Sequence, residues 1–328
     1  MLLEVEPRAW DDLLRSRGVT DVYFSRGYVE SAAVLGGGAP VFLHLPGAHG
    51  DALFPCLLRD DPPDVVTPYG YGGPLLLGDL PAARFADAYR EWCAARDVVT
   101  SFVVFHPLAA NHAHAEACGF RAVPLAGTVA WGLGEPDLAA GMHRHHRRLV
   151  RRAREDGFAA AVDERPADLT EFAALYEATM RRVDASPFYF FGPAYWEALL
   201  REVPLVRVDV RGADGAPVAG VLGMGKPPWL HYHLGGAADA GRGTGASHLA
   251  LLALAEWGRD HGYAVLHLGG GVGGRADALF EYKLRFAPDG RRAAALGKAV
   301  HDSAAYGRLT GSPAVDWDGF FPAYRAPR

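Results

Sequence analysis

Residues 229–286 read WLHYHLGGAADAGRGTGASHLALLALAEWGRDHGYAVLHLGGGVGGRADALFEYKLRF. An apolar, β-branched and aromatic run (WLHYHLGG) is followed by a small-residue loop. The next segment carries continuous apolar residues at helical spacing from Ser247 to about His261, with Ser247 placed to cap its start and Gly262 to stop it. A second apolar run, YAVLHL, ends in clustered glycines and leads into ALFEYKLRF. Strand, helix and strand in that order describe an α/β unit.

The same rhythm extends outward in both directions. Upstream lie a helical pattern, ADLTEFAALYEATMRRV, and two strand patterns, LVRVDVR and APVAGVLGM. The first 130 residues hold the short apolar runs PVFLHL, ALFPCLL and SFVVFHPL between Gly/Pro-rich turns, with an amphipathic helix pattern in PAARFADAYREWCAARDV. At 328 residues the chain exceeds what one core usually organises. The expected organisation is therefore two α/β (α+β) domains with mixed sheets flanked by helices. The first covers 1–137 and is completed by the aromatic, Pro/Gly-punctuated segment 295–328; the second covers 138–294.

Half of the residues are hydrophobic and 22% are charged, as in soluble globular chains. No apolar run reaches the ~18 residues needed to span a bilayer, and the N-terminus has no basic segment leading into an apolar one. A cytoplasmic protein without stable membrane insertion is expected. A net charge of -5 argues against a chain that coats nucleic acid through its overall field. Cys56, Cys93 and Cys118 form no C-x-x-C pair and read as small core residues. His231 and His233 share a strand face, and His106, His112 and His114 form a second group. No H-x-x-x-H pair or carboxylate-flanked cluster accompanies either, so no metal is expected.

A local basic patch does exist. In GMHRHHRRLVRRAREDGF, Arg144, Arg147, Arg148, Arg151 and Arg152 recur at offsets that fall on one helical face, with Met142, Leu149, Val150 and Ala153 opposite and Gly157 at the end. Such a row is either a solvated surface or a phosphate-binding face, because guanidinium forks suit phosphate oxygens. GGGVGG (Gly269 to Gly274) matches G-x-G-x-x-G in form but does not open a βαβ unit with an acidic residue ending the next strand, and Arg275-Ala276 rules out a Walker loop. GRGTGAS (Gly241 to Ser247) joins a strand to a helix start, where backbone amides can cradle an anion or simply turn the chain.

Taken in order, these elements resemble a known family. Residues 229–286 look like the second domain of the compact, FemX-type FemAB-like aminoacyltransferases, whose tandem domains each resemble the GCN5-related N-acetyltransferase fold. The likeness is carried by the Tyr-rich strand, the helix ending in glycine, the strand ending in clustered glycines, and Tyr282-Lys283-Leu284-Arg285-Phe286. Tyr69-Gly70-Tyr71-Gly72-Gly73-Pro74 resembles the family's Gly-Pro turn, the basic helix its arginine segment, and Thr179-x-x-Arg182 its T-x-x-R. Arg242-x-x-Gly245 resembles the pyrophosphate loop of acetyltransferases, with Ser247 where that motif has a second Gly or Ala.

The resemblance implies transfer of an amino acid from charged tRNA to an amine, with no bound cofactor and charged tRNA as co-substrate. Lys283 would stabilise the oxyanion and Tyr282 would position the terminal adenosine. Arg147, Arg148, Arg151, Arg152, Arg242 and Gly245 would face the donor. The first domain and the interdomain cleft would hold the acceptor, with Arg182, Tyr232, His106, Tyr69 and Tyr71 as its contacts. The chemistry agrees: an amine attacking an ester builds negative charge on the carbonyl oxygen, and no Ser-His-Asp pattern or nucleophile elbow suggests a covalent route. His106 stands where peptidoglycan-type members carry Asp before Pro, which favours a small amine acceptor, such as an antibiotic precursor, over a muramyl peptide. The alternative donor is acetyl- or acyl-CoA, which fits the Arg242 loop but gives the arginine face no purpose; a catalytically silent RNA- or precursor-binding protein is a further reading.

Overall fold

The computed structural model of the protein describes residues 1–326. They form two compact α/β units: one built from residues 1–19, 23–127 and from Ala293 on, the other from residues 20–22 and 128–292. In chain order the first unit contributes β1 (Leu3–Glu4), α1 (Pro7–Ser16), α2 (Arg26–Ala32), β2 (Ala39–Leu45), β3 (Gly50–Arg59), β4 (Asp64–Val66), β5 (Leu75–Gly78), α3 (Ala82–Ala94), β6 (Thr100–Val104) and β7 (Arg121–Pro124). The second contributes β8 (Thr128–Gly132), α4 (Arg144–Glu155), β9 (Ala159–Asp163), α5 (Thr170–Arg182), α6 (Pro193–Glu202) and β10 (Leu205–Arg211). It continues with β11 (Pro217–Lys226), β12 (Trp229–Ala237), α7 (Ala246–Asp260), β13 (Val265–Gly269), α8 (Ala278–Leu284) and β14 (Arg291–Arg292). The chain then returns to the first unit with β15 (Ala295–Val300) and α9 (Ser303–Thr310). No helix among the described residues is long and apolar enough to cross a membrane.

The first sheet runs β1-β2-β3-β4-β6-β15-β7, with β5 also paired to β3, and the second runs β14-β8-β13-β12-β11-β10-β9. Both are mixed, as expected of the α/β class. Each contains a parallel pair, β4 with β6 and β12 with β13, whose crossover includes a helix, α3 or α7. That is the faint twofold pattern visible along the chain. Strands β3 and β11 are buried almost end to end, the signature of strands covered on both faces, and they account for the unbroken apolar runs ALFPCLL and VAGVLGM.

Two boundaries differ from the sequence reading. The change of unit falls at Gly127/Thr128 rather than at 137, because β8 pairs with β13 and places Val129 and Trp131 in the second core. Helix α7 begins one residue before Ser247. Its cap is Gly245 in the left-handed region (φ 90), with Thr244 Oγ1 accepting from Ala246 N at 3.2 Å. The far end behaves as expected, with Gly262 at φ 79 just past the helix.

Candidate active site

In the second unit, β12 and β13 pair in parallel over Trp229–His231 and Val265–His267; no pairing is formed between them beyond those residues. Tyr232 and Gly269-Gly270 follow on the two strands, and here Lys283 of α8 is found. Its Nζ donates to Gly270 O at 2.7 Å and lies 5.7 Å from the centre of the Tyr232 ring. The side chain is buried, 7% exposed, and burial pushes the ammonium down to about 8, against an upward pull from the Asp277 carboxylate. Among the described residues, one carbonyl and one aromatic ring make a thin coordination shell for this buried cation. Lysine Nζ carries three donors, so this ammonium retains capacity for an incoming oxygen.

The glycine cluster that follows β13 is a tight loop around Asp277. The Asp277 carboxylate accepts from Phe280 N through Oδ1 and from Val272 N through Oδ2, both at 2.9 Å. A Cβ on Gly271 would lie 2.1 Å from Arg275 O and 2.3 Å from Asp277 Oδ1, so only glycine fits there. The cluster thus serves a loop closure; neither a dinucleotide nor a Walker geometry is present. Asp277 is a residue the sequence reading missed, although an Asp immediately before an apolar helix turn is a capping signal.

Tyr282 packs in an aromatic group made of His146 (α4), His248 (α7) and Phe286, with ring centres 5.4, 5.0 and 5.3 Å from its own. His146 Nε2 donates to Tyr282 O at 2.9 Å, and its buried Nδ1 has no hydrogen-bond partner among the described residues. Burial lowers His146 to about 4 and His248 to about 3, so both are neutral, and it raises the Tyr282 phenol well above its usual range. Tyr232 is likewise pushed up to about 12 by burial.

Helix α4 carries the arginine row. Val150 and Ala153 are buried as expected, His146 joins them, and Arg147, Arg148, Arg151 and Arg152 are exposed. Arg147 Nη1 donates to Ala140 O and Met142 O at 2.8 Å, which ties down the preceding turn. Arg151 and Arg152 pair with Glu155 and Asp156 at 3.5 and 3.3 Å; with every partner about half or more exposed, such pairs are weak. Arg242 is exposed beside α7. Gly245 has a specific packing reason: a Cβ there would lie 2.2 Å from Leu149 O, because the α4 backbone rests directly on it.

The T-x-x-R segment is a latch. Arg182 donates to Ala237 O at 3.0 Å and to Thr179 Oγ1 at 3.2 Å, while Thr179 Oγ1 accepts from Ala237 N at 2.9 Å. Both side chains fasten α5 to the end of β12. On the face of β12 opposite Tyr232, His233 Nε2 and Tyr195 OH are 2.8 Å apart, and burial lowers His233 to about 3. Asp21 meets His231 Nε2 at 2.6 Å, and His231 Nδ1 lies 3.3 Å from His267 Nδ1. This buried Asp-His-His row was invisible in the sequence, since 210 residues separate Asp21 from His231.

In the first unit, His106, Tyr71 and Tyr23 gather with ring centres 5.4 to 5.9 Å apart. His106 is fully buried, its Nδ1 accepting from Ala109 N at 3.1 Å. Asn111 locks the Gly-Pro turn against it: Oδ1 accepts from His106 N at 2.8 Å, and Nδ2 donates to Gly72 O and Pro74 O at 2.8 and 3.2 Å. Tyr69 offers its carbonyl to Tyr28 OH. The turn aromatics and His106 are therefore brought together within this unit, as Lys283, Tyr282 and Tyr232 are within the other.

The family described as Acetyltransferase (GNAT) domain matches residues 140–284, a span that includes α4, the Gly245 turn and Lys283. Among solved structures the chain is similar to FemX (13% identity, TM-score 0.66, covering 92% of this chain and 97% of that one). It is also similar to L-PGS from Bacillus licheniformis (16%, 0.61, 92% and 94%). A third is a tandem GNAT protein from the clavulanic acid biosynthesis pathway, solved without AcCoA (12%, 0.53, 92% and 98%). No curated protein sequence matches. At these identities the shared property is the fold, and the FemX-type tandem acetyltransferase-like architecture expected from the sequence is the one found.

Proposed function

We propose, from the tandem acetyltransferase-like fold and the placement of Lys283, that the protein is an acyltransferase that moves an amino acid from charged tRNA to the amine of a small acceptor. The observation that carries this reading is the buried ammonium where the paired stretch of β12 and β13 ends, held by one carbonyl. The neutral amine attacks the ester carbonyl carbon and the C–N bond forms. Negative charge collects on the carbonyl oxygen, where Lys283 Nζ donates to it. The C–O bond to the ribose then breaks, and the departing hydroxyl takes the proton the nitrogen sheds. A fixed cation aimed at that oxygen lowers the barrier by about 3 kcal/mol, two orders of magnitude in rate.

Two features support tRNA as donor. The exposed arginines of α4 form a basic face, and Arg144, Arg147 and Arg148 occupy the N-terminal half of the helix, where its dipole opposes them; stability alone does not favour that placement. The Gly245 glycine is explained by the α4 backbone upon it, which removes one argument for a phosphate cradle at that turn. The second reading is acyl-CoA as donor, favoured by the GNAT match over 140–284 and by Arg242 beside the start of α7.

The deciding experiment incubates the protein with total charged tRNA and a panel of amine acceptors, with and without ribonuclease, beside an acyl-CoA arm. Product that ribonuclease abolishes and that Lys283→Ala reduces about a hundredfold supports the proposal. Ribonuclease-resistant product in the CoA arm overturns the donor. An undiminished rate in Lys283→Ala removes the lysine from the chemistry.

A further inference from the structure

Lys283 does not hold its own position. Its ammonium is tethered to Gly270 O at 2.7 Å, and Gly270 belongs to a loop that is turned by backbone bonds from Gly274 N to Gly271 O and from Arg275 N to Val272 O, at 3.1 and 3.3 Å, and crossed by one carboxylate. Asp277 Oδ2 accepts from Val272 N and Oδ1 from Phe280 N, each at 2.9 Å, so a single side chain spans the loop and caps the helix that bears Lys283. Gly271 fits so closely against Asp277 Oδ1 that a methyl group has no room. The titratable groups around the ammonium are Asp277 on the loop, Tyr232 on β12 and Tyr282 on its own helix. His146 of α4 and His248 of α7 touch the Tyr282 ring, and burial keeps both neutral. Asp277 is therefore the anion that acts on this lysine.

We propose that Asp277 is the positioning residue for Lys283: its carboxylate closes the Gly269–Gly274 loop, sets the Gly270 carbonyl that tethers the ammonium, and supplies the counter-charge that keeps the lysine protonated. This rests on the catalytic reading of Lys283 only for its effect on turnover. The coupling itself can be read without any substrate.

The test is the pH dependence with which Lys283 reacts with a small amine-acylating reagent, followed by mass spectrometry of its peptide, with Lys283→Arg as the background. In the unaltered protein the midpoint lies near the lowered value of about 8. Asp277→Asn keeps the cap on Phe280 N, since an amide oxygen still accepts there; it removes the charge, and its Nδ2, a donor, cannot replace Oδ2 as the acceptor for Val272 N. Its midpoint is expected to fall by about half a unit or more. Gly271→Ala leaves the charge but pries the loop from Asp277. Freeing the ammonium from its burial moves the midpoint the other way, toward the ordinary lysine value. A purely structural cap would lower the unfolding temperature of both variants without these opposite shifts.

An unmoved midpoint in Asp277→Asn, or both variants shifting in one direction, overturns the proposal. Where Asp277→Asn does not fold, the upward shift in Gly271→Ala still decides, its absence counting against the loop. Opposite midpoint shifts with unchanged turnover would instead leave the coupling standing and remove the catalytic reading.

Discussion

The two parallel strand pairs share one frame and end differently. In the first unit β4 and β6 pair over Asp64–Val66 and Thr100–Phe102, and the parallel contact resumes at Gly72 and Phe105. Asn111 then fills the end of the pair with three hydrogen bonds and no charge. In the second unit the pairing of β12 and β13 stops at His231 and His267, and a buried ammonium with a single hydrogen-bonded carbonyl stands at the corresponding place. An amide that satisfies its neighbours holds a structure together. A cation desolvated with so few partners costs stability, and the proposed contact with a substrate oxygen accounts for keeping it there. The difference separates an end sealed by an amide from one that holds a thinly coordinated cation within the same fold.

The comparison is most exposed to Lys283→Met. Turnover is expected to fall by about a hundredfold while the unfolding temperature holds or rises, measured side by side by product formation and calorimetry. A cooperative loss of stability with little loss of rate would make Lys283 a second Asn111. The pH dependence of unfolding is the next check. The unfolded lysine titrates near 10.5 and the folded one near 8, so the folded state disfavours the charged form. The resulting penalty is fully present below pH 8 and is relieved as pH rises toward 10.5. Over that window the protein should gain on the order of 3 kcal/mol relative to Lys283→Met, seen in denaturant unfolding.

Asn111→Ala should behave oppositely. It strands the Pro74 carbonyl and leaves Gly72 O and His106 N only their 3.1 Å bond to each other, which costs roughly 1 to 3 kcal/mol in urea unfolding, and the fraction that remains folded should turn over normally. A lost rate at full stability would bring His106 and its turn into the chemistry. The smallest effect is expected from replacing Arg148, Arg151 and Arg152 together. Charged-tRNA binding should weaken, and its salt dependence should flatten by about one unit of slope for each phosphate that is no longer neutralised. Unchanged binding would make α4 a solvated surface.

Local patterns made the strand-helix-strand frame and the arginine helix legible, because periodicity is a property of neighbouring residues; Lys283 was singled out by the order of motifs in a family resemblance. The first strand of the second unit was assigned to the first: TVAWG reads as a strand, but its partner β13 lies more than a hundred residues away, and nothing local says which sheet it joins. Thr179 and Arg182 were legible as a motif, but their hold on Ala237 was not, because a motif records spacing and not the carbonyl it fastens. Ser247 is a good capping residue that yields to Gly245, since only glycine allows the α4 backbone so close. Asp277 and Asp21 act through contacts that exist only once a loop has closed or a distant segment has arrived.

Strand β15 has a consequence for how the chain comes off the ribosome. It lies between β6 and the edge strand β7 in the first sheet, while the second unit is nearly continuous from Thr128 to Arg292. During synthesis the residues that emerge first must therefore wait with an unfilled slot, and their β6 and β7 edges unpaired, until Ala295–Val300 appears. The second unit can complete itself in the meantime. The half that begins the chain is the half that finishes folding, and it is the one that needs protection from edge-to-edge association along the way.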